Sequence, residues 1–267
     1  MNTYENLPPA LLPSTSPDSA TMPLWMRPSM REAAGDTLRP GGFSLTDRLA
    51  ELAGIAPGWR VLDAGCGLGA SVLRLRQRYG ATSIGTDRSI RQIAAARSAV
   101  PHAPLLVADT FRLPFRPQSM HMVLCECALS LLPNPKAALH GFHTVLAPGG
   151  LLGLTDLYLR ESGNSGCAEK ISPPSHHDHV PPPPGSCLGW NATRDALEQM
   201  LHETGFRIRI FEDHSPLLGE LAARLVFAGE SPCGLLPASP SSPCPTCSPP
   251  AALRVRPGYF LLLAERS

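Results

Sequence analysis

The chain has 267 residues, 43% of them apolar, and a formal net charge of +1. That length admits one large domain with appendages and a full core, while the balanced charge offers no electrostatic surface for nucleic acid. No apolar run reaches the ~20 residues that span a bilayer, and no basic stretch leads into an apolar core at the N-terminus; a cytoplasmic protein without a secretion signal or a membrane partner is expected.

Eight cysteines in a chain of this size, without a signal, suit thiols better than a disulfide framework. Residues 1 to about 28 are rich in Pro, Ser and Thr and suggest an extended arm that docks through Leu24, Trp25 and Met26. The arm is taken to run over 1–38, with one domain over 39–267. Arg39-Pro40-Gly41-Gly42 reads as a turn, Leu45 to Leu52 has helical spacing, and Pro57-Gly58 breaks the chain.

From Arg60 to Leu159 strands and helices alternate. Strands are expected over Arg60 to Ala64, Thr82 to Asp87, Leu105 to Asp109, Met120 to Cys125 and Leu151 to Leu157. Helices fall between them over Ala70 to Tyr79, Ile90 to Ala99 and Pro135 to Leu146, the last stopped by Ala147-Pro148-Gly149-Gly150. Strands separated in this way argue a parallel sheet covered on both faces. Glu161 to Gly189, with its prolines and His176, His177 and His179, reads as a surface excursion. A helix over Arg194 to Glu203, a strand over Phe206 to Phe211 and a helix over Leu217 to Phe227 follow. Residues 231–250 read as irregular, and Gly258 to Ala264 as a buried strand.

The chemistry concentrates at Val61-Leu62-Asp63-Ala64-Gly65-Cys66-Gly67-Leu68-Gly69. An apolar strand reaches an acid, and glycines at alternate positions let the turn take angles closed to other residues. Alone, this is as compatible with an ordinary strand-turn-helix as with a nucleotide site. Further acids stand at the ends of the following strands: Asp87 after the second, Asp109 with Thr110 after the third, and Glu126 after the fourth. All lie at the carboxyl ends of parallel strands, where open α/β sheets bind ligands.

This order of motifs resembles the class I S-adenosylmethionine (SAM)-dependent methyltransferases, especially the branch that includes quinone-biosynthesis-type methylases. The resemblance covers roughly residues 40 to 160 and the terminal Gly-Tyr-Phe strand. It implies a Rossmann-like, seven-stranded doubly wound α/β sheet with helices on both faces and the last strand antiparallel. It implies SAM as cofactor and a small-molecule methyl acceptor. On that resemblance Asp63, Gly65, Gly67 and Gly69 would hold the methionine end. Asp87, with the adjoining Arg88, would hold the ribose, and Asp109 and Thr110 the adenine. Glu126 would lie by the methionine group or the methyl-transfer pocket as the candidate catalytic residue. His121 stands where the family usually has Asp, and Thr144 where it often has a basic residue. Arg39-Pro40-Gly41-Gly42, Leu45-Thr46 and Glu212-Asp213-His214-Ser215 resemble a narrower subgroup known from anaerobic bacteria. For Glu212 to Ser215, a polar strand end leading into a helix cap is an equal alternative.

Two other readings stay open from the residues. Cys125, Cys127 and Cys187 suggest a methylase of arsenite or another thiophile, and a scaffold that binds SAM without turnover would show the same motifs. Cys244 and Cys247 have ligand spacing, but a zinc site needs four ligands and only one close pair is present, so no metal is expected. The segments Trp25 to Thr46 and Glu161 to Trp190 are expected to close over an acceptor bound near Glu126, Asp156 and Tyr158.

Overall fold

The computed structural model describes residues 24–160, 192–230 and 256–267. Strands β1 (Arg60–Ala64), β2 (Thr82–Asp87), β3 (Leu105–Val107), β4 (Met120–Glu126), β5 (Leu146–Arg160), β6 (Phe206–Asp213) and β7 (Arg256–Arg266) form a seven-stranded sheet in the order β3-β2-β1-β4-β5-β7-β6. β1 to β5 pair in parallel, and β7 runs antiparallel to both neighbours. Helices α1 (Pro28–Ala34), α2 (Ser44–Ala53), α3 (Ala70–Tyr79), α4 (Ile90–Ala99), α5 (Pro135–Val145), α6 (Arg194–Glu203) and α7 (Ser215–Phe227) surround it.

The strand composition explains the layers. Along β7, Tyr259, Leu261 and Leu263 enter one core with Met30, Leu49, Leu218 and Leu221. Phe260, Leu262 and Ala264 enter the other with Leu139, Phe142, Leu197 and Leu201. A strand apolar at every position must be covered on both faces, and its alternate side chains divide between the two cores. The expected doubly wound sheet with an antiparallel last strand is the one observed.

Several boundaries differ from expectation, three of them with a physical reason or a consequence for packing. The Pro-rich arm is not extended where it is described: a 3-10 turn spans Leu24–Met26, and α1 begins at Pro28. Proline suits a first helical position because that N–H has no partner in any case. Met30 and Ala33 then bury against α7. β3 has three residues instead of five. β5 starts at Leu146, so Ala147-Pro148-Gly149-Gly150 ends α5 at Val145 but lies within the strand, beside a register shift against β4.

His121 has the packing role that its place at the start of β4 suggests. Its Nδ1 accepts the Arg60 N–H at 2.9 Å and its ring stacks on Trp59. Asp213 accepts the Ser215 N–H at 2.8 Å just before α7, where Ser215 is the first helical residue and the capping position falls on His214. The stretches 161–190 and 231–250, with His176, His177, His179, Cys187, Cys244 and Cys247, lie outside the described residues.

Candidate active site

The strand order reverses between β1 and β4, and the crevice at such a switch point is where open α/β sheets take ligands. One wall is the turn after β1. Gly65 and Cys66 donate their N–H groups to the Thr86 carbonyl, at 2.7 and 2.9 Å, and Gly67 donates to Asp87 Oδ2 at 3.1 Å. Asp87 Oδ1 accepts the Ser89 N–H at the start of α4, so this carboxylate ties the glycine turn to the next helix.

The three glycines do different work. All have positive φ, which side chains disfavour. A Cβ on Gly65 would lie 2.5 Å from Ala128 Cβ, so the turn touches the loop after β4. A Cβ on Gly69 would meet Val100 and Leu105, which makes that glycine a packing position. A Cβ on Gly67 would meet only Leu38, at 3.9 Å, and so points into open space beneath the N-terminal segment.

Asp63 and Glu126 form the charged base of the crevice. Asp63 is 3% exposed and its carboxylate accepts no hydrogen bond among the described residues. Burial, with the charge of Glu126 beside it, pushes its pKa up to about 8. Glu126 is expected to face the transferred methyl. Its carboxylate instead meets Arg39 Nη2 at 2.9 Å and accepts from the Thr46 and Ser71 hydroxyls at 3.1–3.2 Å. Burial pushes the Glu126 carboxyl up against the opposing pull of Arg39 and the two hydroxyls. Arg39 also donates to Ser71 at 2.9 Å and to Thr46, while its buried Nε has no partner among the described residues. One guanidinium thus joins the N-terminal segment, α2, α3 and the end of β4. In the sequence Arg39 reads as a turn residue and as part of the subgroup resemblance, but not as the partner of Glu126, because no local period announces a partner 87 positions away (39 to 126).

The adenine-side candidates sit at the other end. Asp109 is exposed and accepts the Phe111 N–H at 3.0 Å; Thr110 is half-buried, and Arg88 is exposed. Sequence reasoning missed Ile90, which follows Asp87 by three residues and is 71% exposed. An aliphatic residue opening a helix just after the strand-end acid was the available signal.

Beyond the glycine turn lies a narrow cleft of about 40 Å³. Trp25, Met30, Leu38 and Pro40 line it from the N-terminal segment, Leu218 and Leu221 from α7, and Cys127, Ser130, Asp156 and Leu157 from the ends of β4 and β5. Cys127 has a φ of 52°, a strained angle for a non-glycine residue. Its Sγ lies 3.1 Å from the Tyr259 hydroxyl, which also donates to Thr155 Oγ1 at 3.1 Å. That backbone reversal separates the thiols: Cys127 packs on one core while Cys125, fully buried, belongs to the other. Cys125 and Cys127 therefore do not converge on one thiophile. Cys66 sits over Gly85, and burial pushes its thiol pKa far up, as packing requires.

A glycine turn and strand-end acids at the switch point of a parallel sheet define an α/β enzyme that binds an adenosine-containing ligand. Residues 62–154 match the methyltransferase domain family. The chain is 28% identical over 186 residues to the O-methyltransferase rstn1 of Aspergillus nomiae, covering 67% of this chain and 77% of that one. Among solved structures it resembles the [4+2]-cyclase SpnF, with a TM-score of 0.60 at 24% identity over 83% of this chain and 79% of that one. It also resembles phosphoethanolamine N-methyltransferase 2 of Haemonchus contortus, solved with S-adenosyl-L-methionine, with a TM-score of 0.63 at 17% identity over 89% and 56% of the two chains. Residues 62–154 thus form a class I SAM-dependent methyltransferase domain, whose cofactor is SAM.

Proposed function

We propose that this enzyme transfers a methyl group from SAM to a small-molecule acceptor held in the cleft between the N-terminal segment, α7 and the ends of β4 and β5. The observation that carries this reading is the placement of that cleft. Its floor residue Cys127 adjoins Ala128, which touches the glycine turn at Gly65.

The residues present fit the cofactor. Asp63 is a buried carboxyl group that accepts no hydrogen bond among the described residues, and ionising it there without a cation is costly. The ammonium of a methionine group supplies the missing cation. The open space at Gly67 lets that end of the ligand lie against the main chain. Asp87 keeps free lone pairs for ribose hydroxyls while it fixes the turn, and Ile90 offers an apolar wall to the adenine near Asp109 and Thr110. Gly69 serves by packing and Arg88 by its charge at the rim. SAM brings a methyl group already activated by its sulfonium. The protein's part is to align the acceptor and exclude water. Glu126 acts on that alignment through Arg39, which fixes Leu38 and Pro40 over the cleft.

The test is calorimetry with SAM, followed by transfer of labelled methyl to a panel of small acceptors. Asp87→Ala should weaken SAM binding by ~1.5–3 kcal/mol, the cost of losing a charged hydrogen-bond acceptor. Undiminished affinity in that variant would remove Asp87 from the site. Tight cofactor binding with no transfer to any acceptor would favour a scaffold.

A further inference from the structure

The lining of the acceptor cleft restricts what it admits. Eight of its residues are apolar: Trp25, Met30, Leu38, Pro40, Leu131, Leu157, Leu218 and Leu221. Among the described residues no basic side chain lines it, and Asp156 is the one acidic group. An anionic acceptor would enter an apolar space whose fixed charge repels it, and nothing there would replace its lost hydration. Asp156 is positioned with unusual care for a residue at the end of a cleft. Its Oδ2 accepts the Ser130 N–H at 2.9 Å and its Oδ1 the Leu157 N–H at 2.8 Å, and the Ser130 side chain bonds to it as well.

We propose that the acceptor is an uncharged, largely apolar hydroxyl compound, and that Asp156 takes the proton its hydroxyl gives up. This rests on the small-acceptor reading above. The acceptor oxygen forms its bond to the methyl carbon as the carbon–sulfur bond breaks. The bonding pair goes to sulfur, giving neutral S-adenosylhomocysteine, and the hydroxyl proton passes to the Asp156 carboxylate. An amine acceptor would enter as its ammonium, pair with Asp156 and present no lone pair.

The groups around Asp156 leave it as the proton acceptor. From the end of β4 come the Cys125 and Cys127 thiols, and from β7 the Tyr259 hydroxyl. Burial pushes all three pKa values well up, so they stay protonated at neutral pH. The Arg39–Glu126 pair lies beyond Cys127 and is internally neutral. α1 and α7 turn only Met30, Leu218 and Leu221 toward the cleft. Burial raises Asp156 to about 6 while Ser130 and the backbone N–H groups oppose it, so it is a carboxylate at neutral pH and a stronger base than an exposed one.

The experiment uses the full chain with SAM and three matched probes: 2-naphthol, 2-naphthoic acid and 2-naphthylmethylamine. Naphthol should be methylated and the acid and amine at least tenfold less, with turnover rising through pH ~6 to a plateau. Ser130→Ala, which removes a bond to the charged carboxylate, should move that limb to higher pH without changing SAM affinity. Asp156→Asn should lose at least ~100-fold with naphthol, an effect of the size of general-base catalysis, with SAM affinity unchanged. Preference for the acid or the amine overturns the acceptor class, as does transfer to none of the three. A pH limb unmoved by Ser130→Ala, or full naphthol activity in Asp156→Asn, overturns the role of Asp156. Should Asp156→Asn fail to fold, the Ser130→Ala profile decides alone. Loss of SAM binding by the unaltered protein would instead defeat the methyltransferase reading beneath it.

Discussion

Asp63 shows how a single residue can link protonation to ligand binding. Its folded pKa of about 8 lies above the ordinary carboxylate value of ~3.9. Between those values the folded, ligand-free protein holds a proton that the unfolded chain does not. Its contribution to stability is therefore complete below the lower value and is lost as pH rises toward the upper one. A bound ammonium favours the carboxylate, so SAM binding at pH ~7 should release a proton and tighten as pH rises toward 8. Titrations in buffers of different ionisation enthalpy measure that release; equal heats in all of them would mean the carboxylate is not discharging a proton. Glu126 makes the opposite case. Removing its charge by Glu126→Gln strands Arg39 in the interior, and breaking a buried pair in this way costs roughly 3–5 kcal/mol. Denaturant unfolding should show the loss. A variant of unchanged stability that loses turnover alone would return Glu126 to the methyl-transfer step.

At the scale of the element, β1, its turn and α3 are the part most legible in sequence. Glycine spacing, the strand-end acids and the helix bounds Ala70 to Tyr79 all depend on local backbone needs, and the structure reproduces them. What sequence left unread depends on contacts between distant segments. α1 hides in Pro-rich composition, the cleft takes its walls from three separate stretches, and Arg39 finds Glu126 only once the sheet is built. The turn also yields a paired prediction. Gly65→Ala drives a methyl into Ala128 at a φ of 82° and should lower thermal stability, by ~1–2 kcal/mol from the backbone alone. Gly67→Val meets open space, so its larger effect should be on affinity: the fold persists with a modest loss of Tm while SAM binding disappears. Melting curves and calorimetry on both variants separate the two, and identical behaviour would mean the glycines share one role.

For the whole molecule, the N-terminal segment is the part that completes the enzyme. Leu24 and Met30 are buried, and Trp25, Leu38 and Pro40 roof the cleft, while Arg39 bolts that roof to α3 and β4. Removing residues 1–37 while keeping Arg39 should preserve most SAM affinity, because the glycine turn, Asp63 and Asp87 stay tied to the sheet. Methyl transfer should fall at least tenfold and hydrolysis-protected acceptor binding should be lost, since the apolar walls from Trp25 and Met30 are gone. Transfer at the original rate in the shortened protein would show that the roof is dispensable.

The position of β7 also has a consequence for how the protein is made. β7 lies between β5 and β6 and supplies Tyr259, whose hydroxyl lies against the Cys127 thiol. On the ribosome, β5 and β6 emerge well before it, each with an unsatisfied edge on the side that β7 will fill. Until residues 256–266 are synthesised, the leucine-rich β5 offers that edge to any neighbouring nascent chain. A message cut short before this strand would yield a polypeptide with nearly all the cofactor motifs and an open seam through its centre, a substrate for chaperones and proteases rather than a weaker enzyme.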